Sequence, residues 1–320
     1  MTTRVIGTGS SIPDRNVTND ELAKVMDTSD EWICSRTGIR SRNIAVEETT
    51  TSMAAKAARK AVEKSGITPE EIDLIIVGTV SSDMYYPSTA CLVQAELGAV
   101  NAVAFDLAAG CSGFLFALNT AHSYLSSGMA KCALVIGAET LSKMMDWSDR
   151  STCVLFGDGA GAAVVKADTV GIRSVVAHSD GSGGDVLTCE NRVTRNLLVQ
   201  REQQFSYTQM AGQEVFKFAV KMVPKCIQEV LDKGGLTVED VDYFLLHQAN
   251  KRIIESVAKR LKVSLDKFPM NIECHGNTSA ASIPILLDEL VEQGRFKKGD
   301  IIVMSGFGAG LTWGATLLEW

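Results

Sequence analysis

The sequence predicts an α/β protein made of two similar halves packed together. Three observations predict it: apolar runs of strand length, helical stretches alternating with them, and a segment that recurs. Gly66-Ile-Thr-Pro-Glu-Glu-Ile-Asp-Leu-Ile-Ile-Val matches Gly235-Leu-Thr-Val-Glu-Asp-Val-Asp-Tyr-Phe-Leu-Leu position by position, at an offset of 169. The same offset aligns Ala133-Leu-Val-Ile-Gly137 with Ile302-Val-Met-Ser-Gly306. Two matches in one register indicate gene duplication. The boundary falls near residues 166–172 and gives halves 1–168 and 169–320. Phe156-Gly-Asp-Gly-Ala-Gly and Phe307-Gly-Ala-Gly also look alike, at an offset of 151.

Strands are expected at 4–8, 72–80, 101–108, 132–138, 161–166, 171–178, 242–247, 300–305 and 314–319. They are nearly continuous apolar runs, the pattern of strands covered on both faces. Helices are expected at 19–27, 49–64, 87–97, 111–127, 211–232, 250–261 and 279–292. Ser65-Gly66 and Gly128 supply helix stops. Residues 179–209 are polar, Gly-rich at the start and poorly periodic, which reads as a long excursion loop with hairpin character.

With 320 residues, 46% of them apolar, the chain can bury a large core, and this composition excludes disorder. No apolar run approaches the roughly 20 residues that span a bilayer. The N-terminus reads directly into a strand with no secretory h-region, so a cytoplasmic protein is expected, with no membrane partner. The net charge of −7 does not advertise nucleic acid. Eight cysteines (34, 91, 111, 132, 153, 189, 226 and 274) are scattered without a CxxC pair or zinc-like spacing. Cys132 and Cys153 lie in apolar runs, as buried fillers do.

Cys111 is the sharpest chemical signal. The strand candidate Ala102-Val-Ala-Phe-Asp-Leu-Ala-Ala runs into Gly110-Cys111-Ser112-Gly113, which turns into a helix. A cysteine there sits at a helix N-terminus, where unpaired N–H groups and the dipole favour a thiolate. The flanking glycines permit a tight turn that exposes sulfur. The alternative is a small residue chosen for close helix–strand packing.

His247 ends a buried strand, where α/β folds place their sites, and Gln248-Ala249-Asn250 follows it. His275, in Cys274-His275-Gly276-Asn277-Thr278-Ser279, is its rival by position. His122 lies mid-helix and reads as structural, and His178 opens the polar loop. Ser305-Gly306-Phe307-Gly308-Ala309-Gly310 follows a strand but has the wrong spacing, and the wrong following element, for a dinucleotide loop. It fits a backbone loop that approaches the active site. Lys217, Lys221 and Lys225 form one helical stripe. Arg252 and Lys259 share a face of the next helix, with Arg260 beside them. Such stripes are usually solvated surface, and they can also steer an acidic partner.

Together these segments resemble the 3-oxoacyl-[acyl-carrier-protein] synthase III family of thiolase-fold condensing enzymes. The likeness covers nearly the whole chain. It rests on Asp30-Glu31-Trp32-Ile33 with Arg36-Thr37-Gly38-Ile39, Ala109-Gly110-Cys111-Ser112-Gly113, Asp149-Arg150-Ser151 and Phe156-Gly157-Asp158-Gly159-Ala160. It continues through His247-Gln248-Ala249-Asn250, Gly276-Asn277-Thr278-Ser279-Ala280-Ala281-Ser282 and Gly306-Phe307-Gly308.

The resemblance implies a duplicated thiolase-like fold, layered αβαβα, and a triad of Cys111, His247 and Asn277. Cys111 would accept an acyl group from acyl-CoA. His247 and Asn277 would stabilise the enolate formed when malonyl-[acyl-carrier-protein] loses carbon dioxide. The backbone of Cys111 and of the Phe307, Gly308, Ala309 and Gly310 loop would hold the oxyanion. Ala309 stands where many members carry glycine, which leaves the backbone donor intact. Trp32 and Arg150 would flank the adenine of CoA. Thr28, Arg36, Gly212, Phe216 and Asn250 would line the rest of its path. Arg252, Lys259 and Arg260 match the carrier-docking patch. Tyr86, before Pro87, would reach the acyl pocket of the partner subunit in a homodimer and favour short primers. No metal or redox cofactor is expected, the CoA thioester being a substrate. Elongating synthases use two histidines and thiolases a second cysteine, and Asn277 and the cysteine-free loop argue against both. A synthase of secondary metabolism sharing the triad is the alternative.

Overall fold

Burial on both faces turns the apolar runs into strands, and the pairing of those strands repeats from one half to the other. The computed structural model describes residues 1–191, 195–200 and 206–320. The first half contributes β1 (Thr2–Ser11), β2 (Asn16–Thr18), α1 (Asn19–Leu22), α2 (Asp30–Thr37), β3 (Ser41–Asn43), α3 (Thr50–Ser65), β4 (Leu74–Gly78), α4 (Thr89–Leu97), β5 (Val103–Leu107), α5 (Gly113–Ser126), β6 (Cys132–Glu139) and β7 (Gly159–Asp168). The second contributes β8 (Ile172–Ser179), β9 (Leu187–Thr188), β10 (Gln209–Met210), α6 (Gly212–Gly234), β11 (Tyr243–Leu246), α7 (Lys251–Leu261), α8 (Ile272–His275), α9 (Ser282–Glu292), β12 (Ile301–Gly308) and β13 (Thr312–Glu319).

The first sheet runs β1-β7-β6-β4-β5 and the second β8-β13-β12-β11. In each, the first three strands pair antiparallel and the next pairing is parallel. The strands that carry the sequence repeat, β4 with β11 and β6 with β12, occupy equivalent places. β5 is an edge strand without a counterpart among the described residues of the second sheet.

Five layers result. The small side chains of α3, among them Ala54, Ala57, Ala58 and Ala61, cover the outer face of the first sheet together with α4. α6 and α7 cover the outer face of the second through Val220, Val223, Ile227, Ile254 and Val257. Between the sheets lie α5 and α9, and Phe114, Leu115, Leu118, Ile283, Leu286 and Leu287 form one core with strands of both halves. A stripe on each face of a central helix is buried, which explains why its first half, Gly113–Leu118, is apolar all round. A smaller core of Leu22, Ile33, Ile39, Val154, Phe156 and Ile272 roots the α2 region on the body of the protein.

Two readings shift and a third holds. The helix predicted over 19–27 stops at Leu22, because no apolar face continues: Val25 is 77% exposed. α2, which the apolar pattern did not reveal, is set by its ends, with the Ser29 side chain accepting from Trp32 N and Gly38 closing the helix at φ +82°. Within the excursion loop over 179–209, a two-residue ladder between β9 and β10 gives the expected hairpin character. Residues 192–194 and 201–205 of that loop lie outside the described residues.

Leu118 is fully buried between the two sheets. Leu118→Ala is expected to lower stability by about 3 kcal/mol, read as a lower denaturant midpoint at unchanged slope.

Candidate active site

The site forms where the two halves meet. Cys111 sits in a 3₁₀ turn, Gly110–Ser112, between β5 and the first residue of α5. That turn packs backbone to backbone on the loop that follows β12. A Cβ on Gly308 would fall 2.5 Å from Cys111 N and 2.9 Å from Ser112 N, and one on Gly110, at φ +54°, would fall 2.7 Å from Ala309 N. Only glycine allows this approach. Thr312 ties the arrangement down, its hydroxyl donating to Ala109 O at 2.9 Å while Ser112 Oγ donates to Thr312 O at 3.1 Å.

His247 follows β11 directly and its N–H bonds Ser305 O of β12 at 2.9 Å. The imidazole is buried, edge-on to the Phe307 ring with centroids 5.3 Å apart. Burial pushes its pKa down to about 3, so the ring is neutral at physiological pH. A neutral imidazole donates from one nitrogen only, and the surroundings select which. Nδ1 lies 2.7 Å from Ser282 Oγ at the head of α9, and that oxygen also accepts from Gln248 N at 3.3 Å. Among the described residues the Ser282 hydroxyl has no other acceptor, so it gives its hydrogen to Nδ1. The proton of the ring is then on Nε2.

Asn277 is fixed in the same manner. Its own N–H bonds Leu155 O at 2.8 Å, and its Oδ1 accepts from Ser279 N at 2.9 Å. With the carbonyl end occupied, the Nδ2 donors are the end left to face the cavity. Cys111, His247, Asn277, Phe307, Gly308, Gly212, Phe216 and Asn250 line one cavity. On its other side Cys111 opens to a second cavity of about 380 Å³ with an apolar lining that includes Val80, Leu141, Met144, Met145 and Leu187, and that also holds Ser279 and Ala309.

One expectation is corrected here. The helix end was expected to favour a Cys111 thiolate, but burial pushes the thiol up to about 12, and the Glu139 carboxylate adds to the effect. A helix end contributes at most about 2 kcal/mol, and desolvation of a thiolate outweighs it.

The CoA-path residues gather around α2. The guanidinium carbons of Arg36 and Arg150 lie 4.7 and 5.1 Å from the Trp32 ring centroid, and Arg150 also bonds Asp27. Asn250 caps α7 through Arg252 N and donates to Arg36 O at 3.0 Å, which joins this region to the catalytic cavity. Thr28 lies in the loop before α2 with its hydroxyl buried. Arg252 stands 5.7 Å from the Phe216 ring, with Lys259 and Arg260 exposed two turns further along α7. Tyr86 is 86% exposed and lines a separate surface pocket with Met84, Tyr85, Lys143 and Met144.

The rival histidine is not brought in. His275 bonds Glu289 at 2.7 Å through Nε2 and faces Asn43 through Nδ1, so both nitrogens point away from Cys111. His122 bonds Thr3 and His178 bonds Glu229. The sequence reading passed over Glu139 and Ser282. Glu139 ends the apolar strand β6 as His247 follows β11, so the rule that singled out His247 applies to it as well.

A duplicated, five-layered α/β fold with a cysteine at the head of a central helix defines a thiolase-fold acyltransferase. The family model described as 3-oxoacyl-[acyl-carrier-protein (ACP)] synthase III matches residues 105–181, and the model of that family's C-terminal part matches 231–320. The beta-ketoacyl-[acyl-carrier-protein] synthase III of Clostridium acetobutylicum is 52% identical over 318 residues, 99% of this chain and 98% of its own length. The crystal structure of 3-oxoacyl-[acyl-carrier-protein] synthase III from Aquifex aeolicus VF5 superimposes with a TM-score of 0.93 at 48% identity, covering 99% of this chain and 100% of that one. The priming beta-ketosynthase of the R1128 polyketide biosynthetic pathway is similar at 41% identity and a TM-score of 0.92, covering 99% and 96%. This chain belongs to the 3-oxoacyl-[acyl-carrier-protein] synthase III family.

Ser282→Ala removes the hydroxyl that sets the His247 tautomer. It is expected to lower kcat for condensation about tenfold to a hundredfold with little change in KM, and nitrogen NMR of His247 should show the Nδ1–H form rising from near zero.

Proposed function

We propose that the protein condenses a short acyl group from acyl-CoA with malonyl-[acyl-carrier-protein] and releases 3-oxoacyl-[acyl-carrier-protein] and carbon dioxide. The observation that carries the proposal is the meeting of Cys111, His247 and Asn277 in one cavity at the seam of the two halves. Cys111 attacks the thioester carbonyl and keeps the acyl group as a new thioester, which splits one difficult exchange into two easier ones. The oxyanion formed on the way faces the backbone of Cys111 and of the Phe307–Ala309 loop. The acyl chain extends into the apolar cavity lined by Val80, Leu141, Met144 and Leu187.

Malonyl thioester then enters from the other side. Nε2–H of His247 and the amide of Asn277 both donate to its carbonyl oxygen, where charge develops as carbon dioxide leaves. Because His247 is neutral, it stabilises that charge as a fixed dipole without taking part in a proton exchange. The carbanion attacks the acyl-cysteine and regenerates Cys111. Every step uses the thioesters and these side chains, so the chemistry calls for no metal or redox cofactor. The donor's nucleotide lies along Thr28, Trp32, Arg36 and Arg150, and its pantetheine along Gly212, Phe216 and Asn250.

The acidic carrier docks on Arg252, Lys259 and Arg260, beside the mouth of the cavity. Two chains associate through the first sheet. Its edge strand β5 leaves one row of backbone groups unpaired, with Val103 61% exposed, and an unprotected apolar edge is a template for pairing. Tyr86 then extends from one chain to the acyl cavity of the other. No helix among the described residues is long and apolar enough to cross a membrane, and the reaction belongs to the cytoplasm, with its CoA and carrier substrates. Supply of fatty acid synthesis is the favoured role over secondary metabolism.

The intact mass after incubation with a panel of acyl-CoAs tests the reading. A gain of one acyl group is expected on Cys111, fastest with short chains, and absent in Cys111→Ala. A wild-type protein that takes up no acyl group from any donor refutes it. Arg252→Glu is expected to raise KM for the malonyl carrier at least tenfold while leaving acylation by acyl-CoA within about twofold, an effect that should shrink with added salt.

A further inference from the structure

The neutral thiol of Cys111 must lose a proton as it is acylated, and the chemistry above assigns that proton no acceptor. Behind Cys111 lies a carboxyl group that the condensation does not use. Glu139, at the end of β6, is 0% exposed. Its Oε2 accepts from Thr79 Oγ1 at 3.3 Å, from Val80 N at 3.2 Å and from Ser81 Oγ. Among the described residues its Oε1 accepts only from Ser279 Oγ, at 3.1 Å. Among the described residues no cation is bonded to this carboxyl. A buried carboxyl without a counter-ion costs stability, and a packing role alone would be met by an apolar side chain.

Ser279 connects it to the chemistry. The Ser279–Ala281 turn packs against the Gly110–Ser112 turn, and Ser279 and Cys111 line the acyl cavity together. Ser279 is held at φ +49°, an uncommon conformation for a residue with a side chain. There its hydroxyl bonds Glu139 while its N–H grips Asn277 Oδ1. Since that hydroxyl gives its hydrogen to Glu139, its lone pairs are left to accept a proton from the cavity side.

The geometry points to a proton relay from Cys111 through the Ser279 hydroxyl to Glu139 that serves the acylation half-reaction. As the Cys111 sulfur bonds the thioester carbonyl carbon, its S–H proton passes to Ser279 Oγ, and the Ser279 hydrogen passes to Glu139 Oε1. When the tetrahedral intermediate collapses, the carbon–sulfur bond to CoA breaks. The proton then returns through Ser279 to the departing thiolate, which shares that carbon with Cys111. Glu139 ends as it began, and acyl-cysteine and free CoA thiol balance the step. Ser279 stands beside the reacting cysteine, and Glu139 acts through it.

Burial pushes Glu139 up to about 7, where a carboxylate is a useful proton acceptor near neutral pH. The ionisable groups around it are few. Cys111 faces it from the turn before α5, and Asp158 lies beside its β7 partner Gly159. Beyond Ser81, Lys143 bonds the Ser81 carbonyl and Asp83. His247 stands on the far side of Cys111 and stays neutral.

This inference rests on acylation of Cys111, and the test separates the two. Single-turnover acylation by a short acyl-CoA is followed by rapid-quench intact mass from pH 5.5 to 9. The wild-type rate is expected to rise through about pH 7 as Glu139 ionises. Glu139→Gln is expected to lose that inflection and to acylate about a hundredfold more slowly. Ser279→Ala keeps the N–H that holds Asn277, and is expected to show the same loss while still decarboxylating malonyl thioester. A wild type that is never acylated overturns both readings. Glu139→Gln or Ser279→Ala acylating at the wild-type rate and pH profile overturns the relay alone. So does a slowing equal at every pH that also abolishes decarboxylation, since that marks a structural role.

Discussion

The contact on which the site depends is the backbone-to-backbone approach of the Gly110–Ser112 turn to the Phe307–Ala309 loop. Gly110 and Gly308 face the opposite chain segment at distances that no Cβ could occupy. One segment belongs to the first half and the other to the second, so the contact exists only when the halves are docked. The shared core of α5 and α9 sets that docking. Cys111 lies in the turn that leads into α5, and Ser282, which orients His247, begins α9. The same packing that joins the halves therefore sets the distance between nucleophile and hydrogen-bond donors.

Exclusion of water governs the electrostatics in one direction. Burial raises the Cys111 thiol, raises the Glu139 carboxyl and lowers His247, so each group favours its uncharged form. Hydrogen bonds inside such a site carry more weight than in water, and an unmatched one costs more. This accounts for the division of labour between Ser279 and Ser282. Ser279 N–H occupies Asn277 Oδ1, Ser279 Oγ serves Glu139, and Ser282 Oγ serves His247. None of these serines needs to ionise. Each assigns a direction to a group whose two ends are otherwise equivalent.

The order of strands and helices was legible because each strand here is covered on both faces and reads as an apolar run, while helix ends carry Ser, Thr and Gly. Where the burial pattern was weak the reading was weak. α1 is four residues long and α2 shows its ends more clearly than its faces. Cys111 was legible from its glycines and His247 from its place at the end of a strand. His275 was equally plausible along the chain. Only its bond to Glu289 removed it, and that partner lies 14 residues away on another helix.

Local sequence by itself determined the strands, the helix termini, the duplication and the turn that carries Cys111, since these depend on spacing and on neighbours within a few residues. Tertiary structure decided which histidine meets the cysteine, which nitrogen of it holds the proton, and which end of Asn277 faces the cavity. It also decided that the Cys111 thiol is neutral. Those properties depend on desolvation and on hydrogen bonds between residues up to 140 positions apart, as between Ser279 and Glu139, and no local pattern encodes either.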